Sequence, residues 1–356
     1  MTQDFVNKAS FRTTTRVAPQ HKDSSGEVLF IASTSFETRC FHVAENLTQD
    51  YLADVALICH FRGDYEIQSR HDENLENLQA KLSFNSQSRL VSALRTYDLR
   101  STLPELESQF GQLALNHNVT NIDFDVTTFT KQYILVILKL LEEKFPAAMM
   151  RVLYTPASQY GSYGMKRTLS RHVRSITAVP GFDMFRDSSE VPSDLVVFLG
   201  FEEERVLNLV DALSPKYCVP VLQLRRNTHF GAQVPVESNR RLLQLIKTRY
   251  NCEPLYLDAE NPESTADFLM ETYKERTEST GRILLIAPHG SKMQAVGTYL
   301  FCRIVGDPQH VGIIYAIPLK YEKRSYSTNP IGYIAEFTWQ SAGREDSSPD
   351  FARAAM

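Results

Sequence analysis

One pattern occurs twice in this chain: a buried strand whose end turns through small or hydroxyl residues into a lysine at a helix start. The first copy runs from Asn121–Val126 through Thr127-Thr128-Phe129-Thr130-Lys131 into the apolar stretch Gln132–Glu143. The second runs from Arg282–Ala287 through Pro288-His289-Gly290-Ser291-Lys292 into Met293–Ile304. The 161-residue offset that carries Lys131 onto Lys292 also carries Thr130 onto Ser291, Leu135 onto Val296, Tyr154 onto Tyr315 and Tyr160 onto Tyr321. Self-similarity over this length argues for two copies of one structural unit.

Strand and helix patterns alternate around both copies. In the first half, Val28–Ala32, Val55–Phe61, Ser92–Asp98 and Arg151–Thr155 read as strands. Helices are expected over Glu37–Leu47, with Phe41, Val43, Ala44 and Leu47 buried, over Asn74–Leu82, and from Pro104, since proline suits a first helical turn. In the second half, Leu195–Leu199, Val219–Leu224, Leu255–Asp258 and Gly312–Ile317 are strand-like, while Glu203–Leu213, Asn239–Tyr250 and Pro262–Arg276 are helix-like. Here Glu37, Arg39 and Leu47 fall on Glu203, Arg205 and Leu213 at an offset of 166, so the halves differ by a five-residue length change before the lysine. Each half ends in a short extended stretch, Ser175–Val179 or Tyr333–Trp339, expected to add antiparallel to the edge of its sheet.

The expected fold class is α/β: two tandem Rossmann-like parallel-sheet repeats forming a pseudo-twofold pair. The repeats are expected at 27–180 and 193–340, after a flexible N-terminal arm at 1–26, across a linker at 181–192 and before a disordered tail at 341–356.

Composition bounds what such a pair can do. A chain of 356 residues with 43% hydrophobic and 22% charged residues has length for two cores. A net charge of −4 argues against coating nucleic acid through bulk charge, but leaves room for a local basic pocket. Five scattered cysteines without a CxxC indicate a reducing compartment, and no run is long and apolar enough for a membrane span, so a cytoplasmic protein is expected.

In an open parallel sheet, ligands sit beyond the carboxyl ends of the strands where strand order reverses. This places Ser33-Thr34-Ser35 beside Thr127–Lys131, with Thr127, Thr128 and Thr130 as hydroxyl donors, and Gly200-Phe201 beside Pro288–Lys292, with Gly290 and Ser291. Backbone N–H groups at a helix start, the macrodipole and a lysine together suit an anion, although such hydroxyls also serve as plain helix caps. Arg151–Pro180 and Leu213–Val236 contain no acid, and Arg167, Arg171, Arg225 and Arg226 within them are candidate contacts to a polyanion or a solvated basic face. Tyr154, Tyr160, Tyr163, Tyr315 and Tyr321 are candidates for base stacking or for strand-end packing. His289 is the candidate acid–base group, and its counterpart at the 161 offset is Thr128. Asp123 and Asp125 share a strand face without a further acid cluster, and no metal site is expected. Nucleophile-elbow, zinc-spacing, G-x-G-x-x-G and P-loop patterns are absent from the sequence, and it names no cofactor.

The stretches Asp125-Val-Thr-Thr-Phe-Thr-Lys131 and Pro288-His-Gly-Ser-Lys-Met-Gln-Ala-Val-Gly297 resemble the Thr-Gly-Gly-Thr-Lys-x-Met turn of CRISPR-associated Rossmann-fold (CARF) sensor domains. Thr128-Phe129 stands where that motif has two glycines, and Pro288-His289 departs from it in the second copy. Two such units in one chain resemble the fused pair of SAVED domains. The resemblance implies binding of a nucleotide or cyclic oligonucleotide across the junction, with the hydroxyls and lysines near phosphates, in a sensor or regulatory subunit of a prokaryotic defence system. An effector protein is the candidate partner, because the repeats occupy the chain and no nuclease or protease pattern follows. A nucleotide-processing hydrolase or ring nuclease using the same cleft, and a structural partner subunit, are the alternatives.

Overall fold

The computed structural model describes residues 9–20, 26–62, 65–158, 170–184, 191–224, 233–321, 330 and 332–340. The first half contributes β1 (Ser10–Thr14), β2 (Glu27–Ser33), a 3-10 turn at Thr38–Phe41, α1 (His42–Glu45), β3 (Ala53–Arg62), α2 (Tyr65–Leu82), β4 (Ser86–Arg95), α3 (Leu99–Asn116), β5 (Val119–Asp125), α4 (Lys131–Lys144), β6 (Met149–Tyr154) and β7 (Ser170–Ala178). The second contributes β8 (Ser193–Leu199), α5 (Glu203–Leu213), β9 (Tyr217–Leu224), α6 (Gln233–Ser238), α7 (Arg240–Tyr250), β10 (Leu255–Asp258), α8 (Pro262–Tyr273), a π-helical turn at Lys274–Glu278, β11 (Ile283–Pro288), α9 (Lys292–Val305), β12 (Val311–Tyr321) and β13 (Ile334–Gln340).

The parallel cores of the two sheets share one strand order, β4-β3-β2-β5-β6 and β10-β9-β8-β11-β12, so in each the first strand lies beside the fourth and the order reverses there. This is the doubly wound Rossmann-like arrangement, present twice. Strands such as β8 and β11 are near-continuous apolar runs because helices cover both faces of a parallel sheet.

Four expectations about local structure are corrected. The third helix begins at Leu99 rather than Pro104, because Asp98 accepts a hydrogen bond from Ser101 N and caps it there, which leaves Pro104 inside the helix. The helix expected at Asn74–Leu82 starts at Tyr65, and the following strand lies at Ser86–Arg95 rather than Ser92–Asp98. The long first helix expected at Glu37–Leu47 is a 3-10 turn followed by the four residues of α1, although Phe41, Val43, Ala44 and Leu47 are buried as anticipated.

The edge strands bring the largest departure. Both add antiparallel, but each joins the other half's sheet: β7 pairs with β12, and β13 pairs with β6. The N-terminal arm, expected to be flexible, supplies β1, which pairs with β13, and Val17 bridges to Leu47. A buried ionic network accounts for this docking. Arg151 donates to both carboxylate oxygens of Asp123 at 2.6 and 2.7 Å and to Ala18 O at 2.8 Å. Its Nη1 lies 3.9 Å from Glu336 of β13, which also pairs with Arg12 of β1 at 2.8 Å. Tyr51 and Gln20 complete the shell of Asp123, so this carboxylate is fully engaged by protein groups. The 341–356 tail lies outside the described residues, as does part of the 181–192 linker.

The halves meet along α4 and α9, the helices that follow the two repeated turns. Both are buried on nearly all sides, as expected of a helix packed between layers, and Arg303 of α9 pairs with Glu142 of α4 at 2.8 Å. Gly297 in α9 permits close approach to α8: a Cβ there would sit 2.4 Å from Pro262 O and 2.6 Å from Thr265 Cβ. Gly297→Ala is expected to destabilise the fold by about 1–3 kcal/mol through overpacking, read from the denaturation midpoint; a stabilised variant would contradict this packing. No described helix is long and apolar enough to cross a membrane.

Candidate functional site

Because α4 and α9 pack together, the two repeated turns open into one cavity between the halves, holding about 1020 Å³ of empty space including the solvent at its mouth. It lies at the carboxyl ends of β2, β5, β8 and β11, where the strand order of each sheet reverses. Lys131 and Lys292 both line it.

The repeat also organises the cavity's charge. In the first half, Arg39 donates from Nε and Nη2 to Glu37 Oε2 at 3.1 and 2.6 Å and from Nη1 to Thr155 O at 2.8 Å. In the second, Arg205 bonds Glu202 at 2.5 Å and donates to Ala316 O at 2.9 Å through Nε. Ala316 is the 161-offset equivalent of Thr155, so the two arginines anchor to matching carbonyls. The acid partner is Glu202, not Glu203, the 166-offset equivalent of Glu37, whose carboxylate instead accepts from Arg241 N, Arg241 Nε and Leu242 N at the start of α7. A one-residue shift in the loop after β8 explains this. The same shift relates Asn74, donating to Ser35 O, to Asn239, donating to Gly200 O at 2.7 Å.

With both arginines paired to buried carboxylates, the lysines are the cavity's cations without a direct carboxylate partner among the described residues, although Glu37 and Asp125 act on Lys292 from farther off. Neither Lys131 nor Lys292 makes a salt bridge to a described residue. Burial, and then the positive charge of Lys131, lower the pKa of Lys292 to about 7. Asp125, buried behind the turn and accepting from Thr127 N at 3.0 Å, is pushed up to about 7 by burial.

The hydroxyl residues divide into two groups. Thr34, Ser35, Thr128, Thr130 and Ser291 line the cavity, as does Gly290. Ser33 and Thr127 lie behind its wall: Ser33 Oγ is 2.8 Å from Thr128 Oγ1, and Thr127 Oγ1 accepts from Thr155 N at 2.9 Å. Thr34 Oγ1 meets His60 Nδ1 at 3.0 Å, and His60 Nε2 meets Asp72 at 2.9 Å, which ties the cavity wall to α2. Ser291 caps α9 in a reciprocal box with Gln294. A side chain before it would displace Gln294 from this box, since a Cβ on Gly290 would lie 2.0 Å from Gln294 Oε1. Thr130 begins α4 without such a bond, and its Oγ1 is buried without a hydrogen-bond partner among the described residues.

His289 also lines the cavity and is 1% exposed. Burial, then Arg205 and Lys131, hold its pKa well below the usual imidazole value. Of the tyrosines, Tyr154, Tyr315 and Tyr321 line the cavity, with Tyr315 stacked on His289 and Tyr321 on Tyr97. Arg167, Arg225, Arg226, Tyr160 and Tyr163 lie outside the described residues, and Arg171 is placed only as a backbone position of β7. Sequence reasoning missed Phe36, Phe61, Glu202 and Gln223, all of which line the cavity; the only signal for Glu202 was its adjacency to Glu203. Among the described residues no group of histidine, cysteine and acidic side chains could hold a metal ion.

No protein-family model matches the chain, and no curated protein matches it. Among solved structures 53 chains match, one of them a Type III CRISPR defence DNA nuclease activated by cyclic oligoadenylate. That match has 7% sequence identity, covers 77% of this chain and 64% of that one, and has a TM-score of 0.47. A likeness at this level assigns no function.

Proposed function

We propose that the protein binds a nucleotide-type polyanion in the cavity between its halves and acts as a sensor or regulatory subunit of a prokaryotic defence system. A cyclic oligonucleotide is the ligand class implied by the resemblance of the two turns to CARF and SAVED domains. The observation that carries the reading is the convergence of Lys131 and Lys292, equivalent in the repeat, on one cavity whose arginines are already paired. Two lysines at helix starts, neither ion-paired to a described carboxylate, favour a polyanionic ligand. Stacking of bases on Tyr154 or Tyr321 and contacts from Arg167, Arg171, Arg225 and Arg226 belong to the same proposal, as do sequence repeats at 27–180 and 193–340 with their edge strands exchanged, a cytoplasmic location and an effector protein as partner.

The test is a thermal-shift and calorimetric screen of cyclic oligoadenylates against linear oligoadenylates and ATP, with chromatography of the recovered ligand. Saturable binding of an intact cyclic ligand is expected. Its affinity should fall with salt, and the slope of log K against log salt should shrink by about 0.7 for each lysine removed that contacts a phosphate. Absence of binding across the panel would return the cavity to a structural role, and linear products would make the protein a hydrolase.

A further inference from the structure

The turns after β5 and β11 are equivalent in the repeat, yet they leave different polar groups unspent. In the first half Thr128 Oγ1 is used up by Ser33, donating to its carbonyl at 3.0 Å. In the second half His289 takes the position of Thr128. Its ring lies against Tyr315, with centroids 5.0 Å apart and planes at 19°, which fixes the imidazole plane. The N–H of Ala316 points at Nε2 at 3.5 Å. An N–H can be received only by the unprotonated ring nitrogen, so the proton of the neutral ring belongs on Nδ1. That Nδ1 is buried and has no hydrogen-bond partner among the described residues. The serine that follows offers no alternative donor, because Ser291 Oγ donates to Ala259 O while accepting from Gln294 N at 3.0 Å.

We infer that His289 is a neutral hydrogen-bond donor, through Nδ1–H, to one acceptor atom of the bound ligand, and thus a specificity-determining residue confined to the second half. This rests on the reading of the cavity as a polyanion site. The alternative, acid–base work, would require the ring to gain and lose a proton at Nε2, which would break its bond to Ala316 and place a cation beside Arg205 and Lys131. A donor left unpaired in a buried site carries a penalty that a ligand acceptor removes. A ligand whose two halves are identical meets this donor on one side only, because Thr128 is spent on the other.

Two measurements test the inference. Nitrogen NMR of the labelled imidazole in the free protein is expected to show the Nδ1–H tautomer, unchanged from about pH 5.5 to 8, where an ordinary histidine would titrate. In calorimetry with cyclic tetra-adenylate, His289→Ala is expected to weaken binding roughly 10- to 100-fold. His289→Asn, whose side-chain amide can place an N–H near the Nδ1 position, should remain within about threefold of wild type. Thermal melts of both variants confirm that they fold. A titrating ring, an Nε2–H tautomer, or an asparagine variant as weak as alanine would overturn the donor role while leaving the polyanion reading intact. Failure of the wild type to bind any cyclic oligoadenylate would remove both.

Discussion

Replacing Lys131 and Lys292 together by methionine is expected to lower the affinity for a cyclic oligoadenylate by roughly two to four orders of magnitude. On the proposed reading each lysine would supply a charge-assisted hydrogen bond of about 1.5–3 kcal/mol, and the cavity holds no other cation without a carboxylate partner among the described residues. The single variants should not sum to the double. Lys131 is the largest charge effect lowering the pKa of Lys292, so Lys131→Met relieves that repulsion and leaves a more fully charged Lys292 behind. Wild-type binding should also depend on pH with a definite sign. The protonated lysine is the binding form, and Lys292 is only about half protonated near pH 7 in the empty cavity. Affinity is therefore expected to fall about tenfold between pH 6 and 8, with proton uptake on binding below full protonation. Asp125 ionises in the same window and acts in the same direction, by adding negative charge. Lys131→Met should shift the window upward, and Lys292→Met should remove the lysine component. Calorimetry in two buffers of different ionisation enthalpy measures the proton uptake directly. Affinity independent of pH would show that Lys292 does not meet the ligand.

The second large effect concerns the exchanged strand. Arg151→Ala is expected to cost about 3–5 kcal/mol, because it leaves Asp123 a buried carboxylate without its cation, while Glu336 keeps Arg12. The loss should appear as a lower denaturant midpoint and should be partly recovered by adding Asp123→Asn. A chain stopped at residue 333 is expected to do worse. It lacks Ile334, Ala335, Phe337 and Trp339, all buried, and it leaves β6 as an open edge and β1 without a partner. Such a chain should show no cooperative transition and should aggregate. If it melts as the full chain does, β13 is dispensable and the exchange has no energetic weight. The same interlocking predicts that neither half folds when expressed alone, since each sheet borrows an edge strand from the other.

The distribution of these effects follows what a linear chain encodes locally. The boundaries of α5 and β10 match the sequence reading residue for residue, because apolar periodicity and end signals lie within the element itself. The two lysine turns were legible for the same reason: strand, hydroxyl turn and helix are contiguous, and the offset of 161 compares like with like. From two such turns the duplicated α/β fold followed, and with it the placement of both lysines at strand ends.

Relations between distant residues had no such local signal. That β13 would pair with β6 rather than β12 turns on Glu336 meeting Arg151 and Arg12, residues that come together only when both sheets exist. Glu202 rather than Glu203 became the partner of Arg205 because a one-residue shift in the loop rotates one carboxylate inward and the other toward α7. Ser33 and Thr127 have the same hydroxyl chemistry as Thr34 and Thr130, but packing left the first pair behind the cavity wall and put the second pair in its lining, where the Thr34 hydroxyl is taken by His60. Residue type and periodicity thus settled which elements form and which charges they carry. The direction each side chain faces, and the partner that neutralises it, were decided by long-range packing, where desolvation makes every unpaired polar group costly and so selects one arrangement among many with the same local pattern.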